Sequence, residues 1–360
     1  MFDLFLLVFP QINRNMKNLV QVTIGIPIYN AEEYIERCLY STLEQTFEDL
    51  EILLVDDCGT DDSMLVAQRI AKEHPRGNCI RIVKHEKNMG VANARNTIVS
   101  EARGKYLYFM DSDDKVTDNV ISLLYEKAER YNAETVWGSY QSFANNPKLE
   151  RILQYPDMLL LGEDKLAEYE CQDWKEHLQQ AVWNILFRTD FLRMSGIKFE
   201  QHGSLDDLIF HYRIQPLVKR AVLVSDITYL YYIRDNSISN FQSRTSFSRF
   251  EAINAIQTAE CLKDSCKSLV LKSYYDCRCT KAMRQSFFYC YGILHHRNMM
   301  DQNVSDKEIR DIMKHPATLW QIMHFKRYIA INLFFYLLGI MPSHLMVAIV
   351  NLISKRRGYT

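Results

Sequence analysis

Residues 22–57 read VTIGIPIYNAEEYIERCLYSTLEQTFEDLEILLVDD, and the fold is decided in this stretch. Val22 to Ile28 is a short apolar run without polar alternation, the pattern of a strand buried on both faces. Residues 31–45 then place Tyr34, Ile35, Cys38, Leu39, Thr42 and Leu43 at helical spacing. Leu50 to Asp56 is a second buried strand. Further out, the alternation continues. Helices are expected over 63–73, 91–102 and 119–132, and strands over 80–84 and 105–111, with Asp118 the N-cap of the last helix. Strands alternating with helices predict right-handed crossovers and an α/β fold with a mostly parallel sheet.

Each predicted strand ends in a polar cluster: 27–30, Asp56 and Asp57, 85–88, and 111–114. The carboxyl ends of parallel strands share one edge, where α/β proteins bind ligands, so these clusters should converge. Neither G-x-G-x-x-G after the first strand nor G-x-x-x-x-G-K-[ST] occurs, which argues against dinucleotide oxidoreductases and P-loop NTPases. The 111–114 cluster, Asp-Ser-Asp-Asp, crowds three carboxylates into four residues. Mg²⁺ or Mn²⁺, which prefer oxygen ligands and share them with substrate phosphates, would suit it. An acidic turn ahead of a helix is the alternative reading.

Composition narrows the class. The chain has 360 residues, 48% hydrophobic and 24% charged, with a net charge of −1, so no basic face for nucleic acid is expected. Nine cysteines, an odd number in no regular framework, fit reduced thiols in a cytoplasmic protein. Cys277 and Cys279 near His295 and His296 lack a second pair at zinc spacing and read as ordinary thiols. The apolar start, 2–9, has no basic flank or cleavage site, so a signal peptide is not expected. Translation from Met16 would leave out the first fifteen residues, and residues 1–18 are read as an extension outside the fold. At the other end, apolar runs 328–341 and 345–353 are split by Pro342 and Ser343. Lys326 and Arg327 precede them, and Lys355, Arg356 and Arg357 follow. Each run is too short to span a bilayer. Two readings stand, an interfacial anchor on an anionic membrane face and a buried helix pair, the first preferred.

The chain resembles the family 2 glycosyltransferases of GT-A fold, of the inverting, bacterial surface-polysaccharide type. The resemblance is carried by 22–57, by NMGVANARN at 88–96 and by ARGKYLYFMDSDD at 102–114. It continues in AVWNILFRTDFLRMSGIKFEQHGSLDDLIF at 181–210 and YLYYIRDNSIS at 229–239. It implies a GT-A-like, Rossmann-like catalytic domain over 19–240, with a nucleotide-sugar half (19–140) and an acceptor half (141–240). A helical region (241–325) and an apolar, basic tail (326–360) follow. It also implies roles. Pro27, Tyr29, Asn30, Glu32, Asp57, Arg95, Asp111, Ser112 and Asp113 would bind the nucleotide-sugar, Asp57 through the base or ribose. Asp111 and Asp113 would hold Mg²⁺ or Mn²⁺, Asp113 the more directly. Asp207 would be the general base. Three departures are visible: Cys58-Gly59 for Gly-Ser, Ile185 for the Lys of Trp-Asn-Lys, and Asp206 for the Glu of Glu-Asp. The expected activity is transfer of a sugar, UDP-linked by preference, to a glycan acceptor, lipid-linked by analogy. The tail would make peripheral contact with the inner membrane face. A sugar-nucleotide nucleotidyltransferase would show a Gly-rich, basic loop after its first strand, and PIYNAEE lacks one. A catalytically silent sugar-nucleotide binder would be separated by donor hydrolysis with and without EDTA.

Overall fold

A computed structural model describes residues 20–172, 178–200, 206–233, 248–300 and 302–356. The chain divides into two compact units. The first comprises Met1–Glu163, Ala181–Phe199 and Leu217–Ile233, the second Asp164–Gln180, Glu200–Pro216 and Arg234–Thr360. This division differs from a boundary at 240, because segments expected in the acceptor half join the C-terminal helices. The expected extension 1–18 lies outside the described residues.

The first unit is built on one sheet. Its strands are β1 (Val22–Ile28), β2 (Leu50–Asp56), β3 (Ile80–Lys84), β4 (Tyr106–Phe109), β5 (Lys115–Val116), β6 (Thr135–Ala144), β7 (Ile152–Leu153), β8 (Met158–Leu161), β9 (Ile185–Arg188) and β10 (Arg220–Ile233). They lie in the order β3-β2-β1-β4-β9-β6-β10-β5, with β7 on β6 and β8 on β10. From β3 to β4 every pairing is parallel, β9 runs antiparallel to both neighbours, and β6 and β10 are again parallel. The helices are α1 (Glu32–Leu43), α2 (Ser63–Glu73), α3 (Val91–Glu101) and α4 (Val120–Tyr131). Apolar faces of α1, α2 and α4 bury Ile35, Leu39, Ile70, Ile121 and Leu124 against Ile24, Ile26, Ile52 and Leu54. Helix α3 lies so close to β1 that a Cβ on Gly25 would sit 2.2 Å from Ile98 Cγ2, so any side chain there would displace Ile98. Asp118 does not cap α4: the N-cap is Asn119, and the Asp118 carbonyl accepts from the Thr46 amide at 2.9 Å.

Asn184 is the polar pin of this sheet. It is fully buried, at φ 59°. Its Nδ2 donates to the Gly138 and Ser139 carbonyls (2.7 and 3.0 Å), and its Oδ1 accepts from Thr228 Oγ1 (2.8 Å) and the Tyr108 hydroxyl (3.0 Å). One side chain thereby joins β4, β6, β9 and β10. Next to it, Ile185 is fully buried in β9, so the departure from lysine falls on a core position.

The second unit is helical in its described residues. It holds α5 (Lys165–Glu170), α7 (Asp206–Ile214), α8 (Arg249–Lys267), α9 (Tyr275–His295), α10 (Asp306–Ile312), α11 (Leu319–Met323), α12 (Ile329–Ile340) and α13 (Ser343–Arg356); α6 (Thr189–Ser195) belongs to the first unit. Leu208, Ile209 and Tyr212 pack with Leu262, Tyr274 and Cys277, which is why 206–214 joins this unit. Lys281 on α9 pairs with Glu170 at the end of α5, both buried. None of the nine cysteines is in a disulfide, and Cys277 and Cys279 lie in the apolar core. The tail helices each bury one face: Phe335 and Leu338 of α12, and Met346 and Val350 of α13, share a cluster with Met283, Ile293 and Ile309. Asn332 donates to Thr280 Oγ1 at 2.7 Å, and a Cβ on Gly339 would lie 2.4 Å from the Met313 carbonyl oxygen.

Replacing Asn184 by Ala would strand several buried partners at once. We expect Asn184→Ala to lower the stability of the first unit by about 2–4 kcal/mol in urea titration, with the secondary structure otherwise retained.

Candidate active site

Because β1 and β2 pair in phase, Val22 with Leu50 through Ile28 with Asp56, their polar ends leave the sheet level with one another. Two residues beyond these ends take left-handed backbone, Asn30 at φ 49° and Cys58 at φ 58°. Asn30 Oδ1 accepts from the Thr60 amide at 2.7 Å and fixes the turn after β1 to the turn after β2. Glu32 joins the same junction, its amide donating to Asp61 Oδ2 at 2.9 Å and its Oε2 accepting from the Asp62 amide at 3.2 Å. Tyr29 stands half exposed on this edge, with Pro27 partly buried behind it. The departure at Cys58 therefore falls where glycine is the relaxed choice. The thiol offsets part of that strain by donating to the His85 carbonyl at 3.0 Å.

Asp57 is turned inward. It is buried, and its Oδ1 accepts from His85 Nδ1 (2.7 Å) and the Met89 amide (2.8 Å), its Oδ2 from the Gly90 amide (2.8 Å). His85 Nε2 meets Thr97 Oγ1 at 2.9 Å, so Asp57 organises the loop that feeds α3. On α3, Asn96 exchanges two hydrogen bonds with the Phe199 backbone (2.8 and 3.0 Å). The adjacent Arg95 lies 5.8 Å from the centre of the Phe199 ring and reaches Asp111 Oδ1 with Nη2 at 3.2 Å.

The acidic loop follows β4. Ligand oxygens of Asp111, Asp113 and Asp114 lie within 4.8 Å of one another, with Ser112 partly buried among them. Asp114 is fully buried; it accepts from the Tyr229 hydroxyl at 2.7 Å and the Tyr232 amide at 2.8 Å. The Tyr229 hydroxyl in turn accepts from the Asp111 amide at 3.2 Å, and its ring stacks on Trp183 with centroids 4.3 Å apart. Burial first, then Asp113 and Asp111, push the Asp114 carboxyl well above the usual carboxylate range. Burial and the same three carboxylates raise the Cys38 thiol. The three clustered carboxylates offer the hard oxygen donors that Mg²⁺ and Mn²⁺ select. Asp114 has its oxygens engaged by β10, whereas Asp111 and Asp113 are partly exposed and could hold such an ion.

Several contributors escaped the sequence reading. Arg37 of α1 donates through Nη2 to the Asp113 carbonyl, with its guanidinium 4.1 Å from the centre of the Tyr232 ring and 5.1 Å from that of Tyr34. Cys38 Sγ lies 3.7 Å from the Asp111 carbonyl oxygen. Helix α1 thus grips the acidic loop through its main chain, which leaves no residue-type signature. Tyr229 and Tyr232 lay inside a quoted motif and His85 in the polar cluster after the third strand, but their roles depend on pairings made far along the chain.

Asp207 lies in the second unit, in the first turn of α7 and partly buried, whereas its neighbour Asp206 is buried.

A mixed α/β sheet with helices on its faces and an acidic loop after β4 is the GT-A type of nucleotide-sugar enzyme fold. Residues 23–194 match the profile described as Glycosyl transferase family 2. Glycosyltransferase GlyG of Streptococcus pneumoniae is 27% identical over 231 residues, 63% of this chain and 76% of that protein. Among solved structures, S. aureus TarS 1-349 in complex with UDP superposes with a TM-score of 0.63 at 15% identity, covering 94% of this chain and 92% of that one. Mannosyltransferase PcManGT from Pyrobaculum calidifontis, in complex with GDP-Man and Mn²⁺, gives a TM-score of 0.50 at 16% identity, covering 97% and 95%. At these identities the structural likeness bears on the fold alone. The chain is a glycosyltransferase.

Tyr229→Phe removes the hydroxyl that links Asp111 to Asp114. We expect a loss of about 1–3 kcal/mol in denaturant titration, the cost of a buried acceptor deprived of a donor, with the Trp183 stacking retained in near-UV circular dichroism.

Proposed function

We propose that this chain transfers a sugar from a nucleotide-diphosphate donor, UDP-linked by preference, to an acceptor hydroxyl with inversion at the anomeric carbon. The observation that carries the reading is the convergence of the turns after β1 and β2, Arg95 and the acidic loop on one sheet edge. The TarS structure holding UDP and the PcManGT structure holding GDP-Man and Mn²⁺ support a nucleotide-sugar donor and a divalent ion. Asp111 and Asp113 would hold Mg²⁺ or Mn²⁺, which when bound neutralises charge on the departing diphosphate. Tyr29, Asn30 and Glu32 would line the nucleotide pocket, with Pro27 behind them. Asp57 would reach base or ribose with the accepting capacity left over from the 85–90 loop. Arg95 and Ser112 would flank the diphosphate.

Asp207 is the proposed base. It takes the proton from the acceptor hydroxyl as that oxygen bonds to the anomeric carbon and the nucleoside diphosphate leaves with the electron pair of the broken bond. The greater burial of Asp206 favours Asp207 as the group that meets an acceptor. The acceptor class we propose is a lipid-linked glycan of a surface polysaccharide, served from the cytoplasmic membrane face.

Two substitutions test the parts separately. Asp113→Asn should abolish the Mn²⁺-dependent component of UDP binding in calorimetric titration while the fold melts as wild type; unchanged affinity would remove the metal assignment. Asp207→Asn should leave UDP affinity unchanged and lower turnover by roughly two to four orders of magnitude, measured as UDP release with acceptor present. A larger effect from Asp206→Asn would transfer the base to that carboxylate.

A further inference from the structure

The two tail helices have a buried face and an outer face, and the outer face is wrong for water. Residues 328–353 contain no Asp, Glu, Lys or Arg. A helix with one face on a core normally carries its charges on the other. Here Ala330, Leu337 and Ile340 are the exposed positions of α12, spaced as one stripe. On α13, Leu345, Ala348 and Leu352 form a second exposed stripe. Only Met341 and Pro342 separate the two helices, and Ile340 and Leu345 stand exposed on either side of that turn. Helix α11, which packs on α12, adds Leu319, Met323 and Trp320, the last 70% exposed. Single exposed apolar residues are ordinary; a charge-free surface of two helices with a neighbouring tryptophan marks an interaction site.

We propose that this face of α11, α12 and α13 docks on an anionic lipid surface, lying in the headgroup boundary without crossing it. The flanks select the occupant. Lys326 is exposed just ahead of α12, and the sequence supplies Lys355, Arg356 and Arg357 after the second apolar run. An apolar body with basic ends is complementary to lipid with anionic headgroups. Tryptophan, with its polar edge and large apolar ring, suits the same boundary. No helix among the described residues is long and apolar enough to cross a membrane. Phe335, Leu338, Met346 and Val350 remain committed to the core, so the outer stripes alone enter the lipid. The inference deepens the proposed function by naming the surface that would carry the enzyme to a lipid-linked acceptor. Its physical basis does not depend on glycosyl transfer.

The test is co-sedimentation of the full chain with vesicles, without donor or metal, so that failure here and failure of the proposed function are read apart. Vesicles of phosphatidylcholine with about a quarter phosphatidylglycerol should retain the protein, and pure phosphatidylcholine should retain less. Leu337→Glu combined with Ile340→Glu should weaken partitioning by about tenfold or more while the melting temperature holds, since both side chains are exposed. Lys326→Glu should weaken binding to the anionic vesicles and leave the residual binding to neutral ones unchanged. A second measurement covers the case in which the double variant misfolds: brominated lipid should quench the wild-type tryptophan fluorescence, and Trp320→Phe should remove that quenching. Three results would overturn the proposal. The wild type could remain in the supernatant of anionic vesicles; the folded double variant could bind like the wild type; or light scattering could show a lipid-independent dimer that the double variant dissolves, making a second copy the occupant.

Discussion

A buried carboxylate holds the first unit in its working shape. Asp114 has no exposed surface and sits beside Asp111 and Asp113, an arrangement that repels itself. It is retained because Tyr229 and the Tyr232 amide donate to it, and because Tyr229 also takes the Asp111 amide. The loop is thereby tied to β10, with Trp183 stacked on the same tyrosine ring. Arg37 takes the Asp113 carbonyl from the α1 side, and Arg95 takes the Asp111 side chain from α3. Three elements therefore hold a charge-dense turn in place, from β10, α1 and α3.

The parallel half of this sheet was legible from residues alone. Strands Val22–Ile28, Leu50–Asp56 and Ile80–Lys84 and helix Ser63–Glu73 fall where the apolar pattern puts them, because each is a local segment whose period is imposed by burial. The convergence of polar clusters on one edge was legible for the same reason, since parallel pairing follows from alternation. Asp118 was misread as a cap because several polar residues precede that helix and the chain chose Asn119. The partners of Asp114 and the role of Arg37 were not legible. The first pairing spans β4 to β10, and the second uses a main-chain carbonyl that any residue would offer.

The tail shows a different limit. Apolar runs without charge fit both a buried pair and a lipid-facing pair, and periodicity cannot choose when nearly every position is apolar. The structure shows one face of each helix in the core, through Leu338 and Val350, and the opposite face exposed, through Leu337 and Leu352. The buried-pair reading accounts for one face of each helix and leaves the other face apolar and exposed. Removal of the tail would therefore strip the second unit of core side chains, which is why exposed-face substitutions are the informative perturbation.

The chain order of β10 bears on how the protein is made. The strand that satisfies Asp114 lies between β6 and β5 in the sheet, yet it is the last strand of the first unit to be synthesised. Asp114 and Tyr229 are separated by 115 positions, and the second unit contributes two inserted segments before β10 arrives. A nascent chain that has delivered β1 to β4 holds its acidic turn without the hydroxyl that stabilises it. The sheet can begin to form from local pairings, but the turn closes only once residues 220–233 have left the ribosome. The charge-dense turn thus becomes ordered late, when most of the first unit already exists to constrain it. An incomplete chain would carry the residues of the site without its geometry.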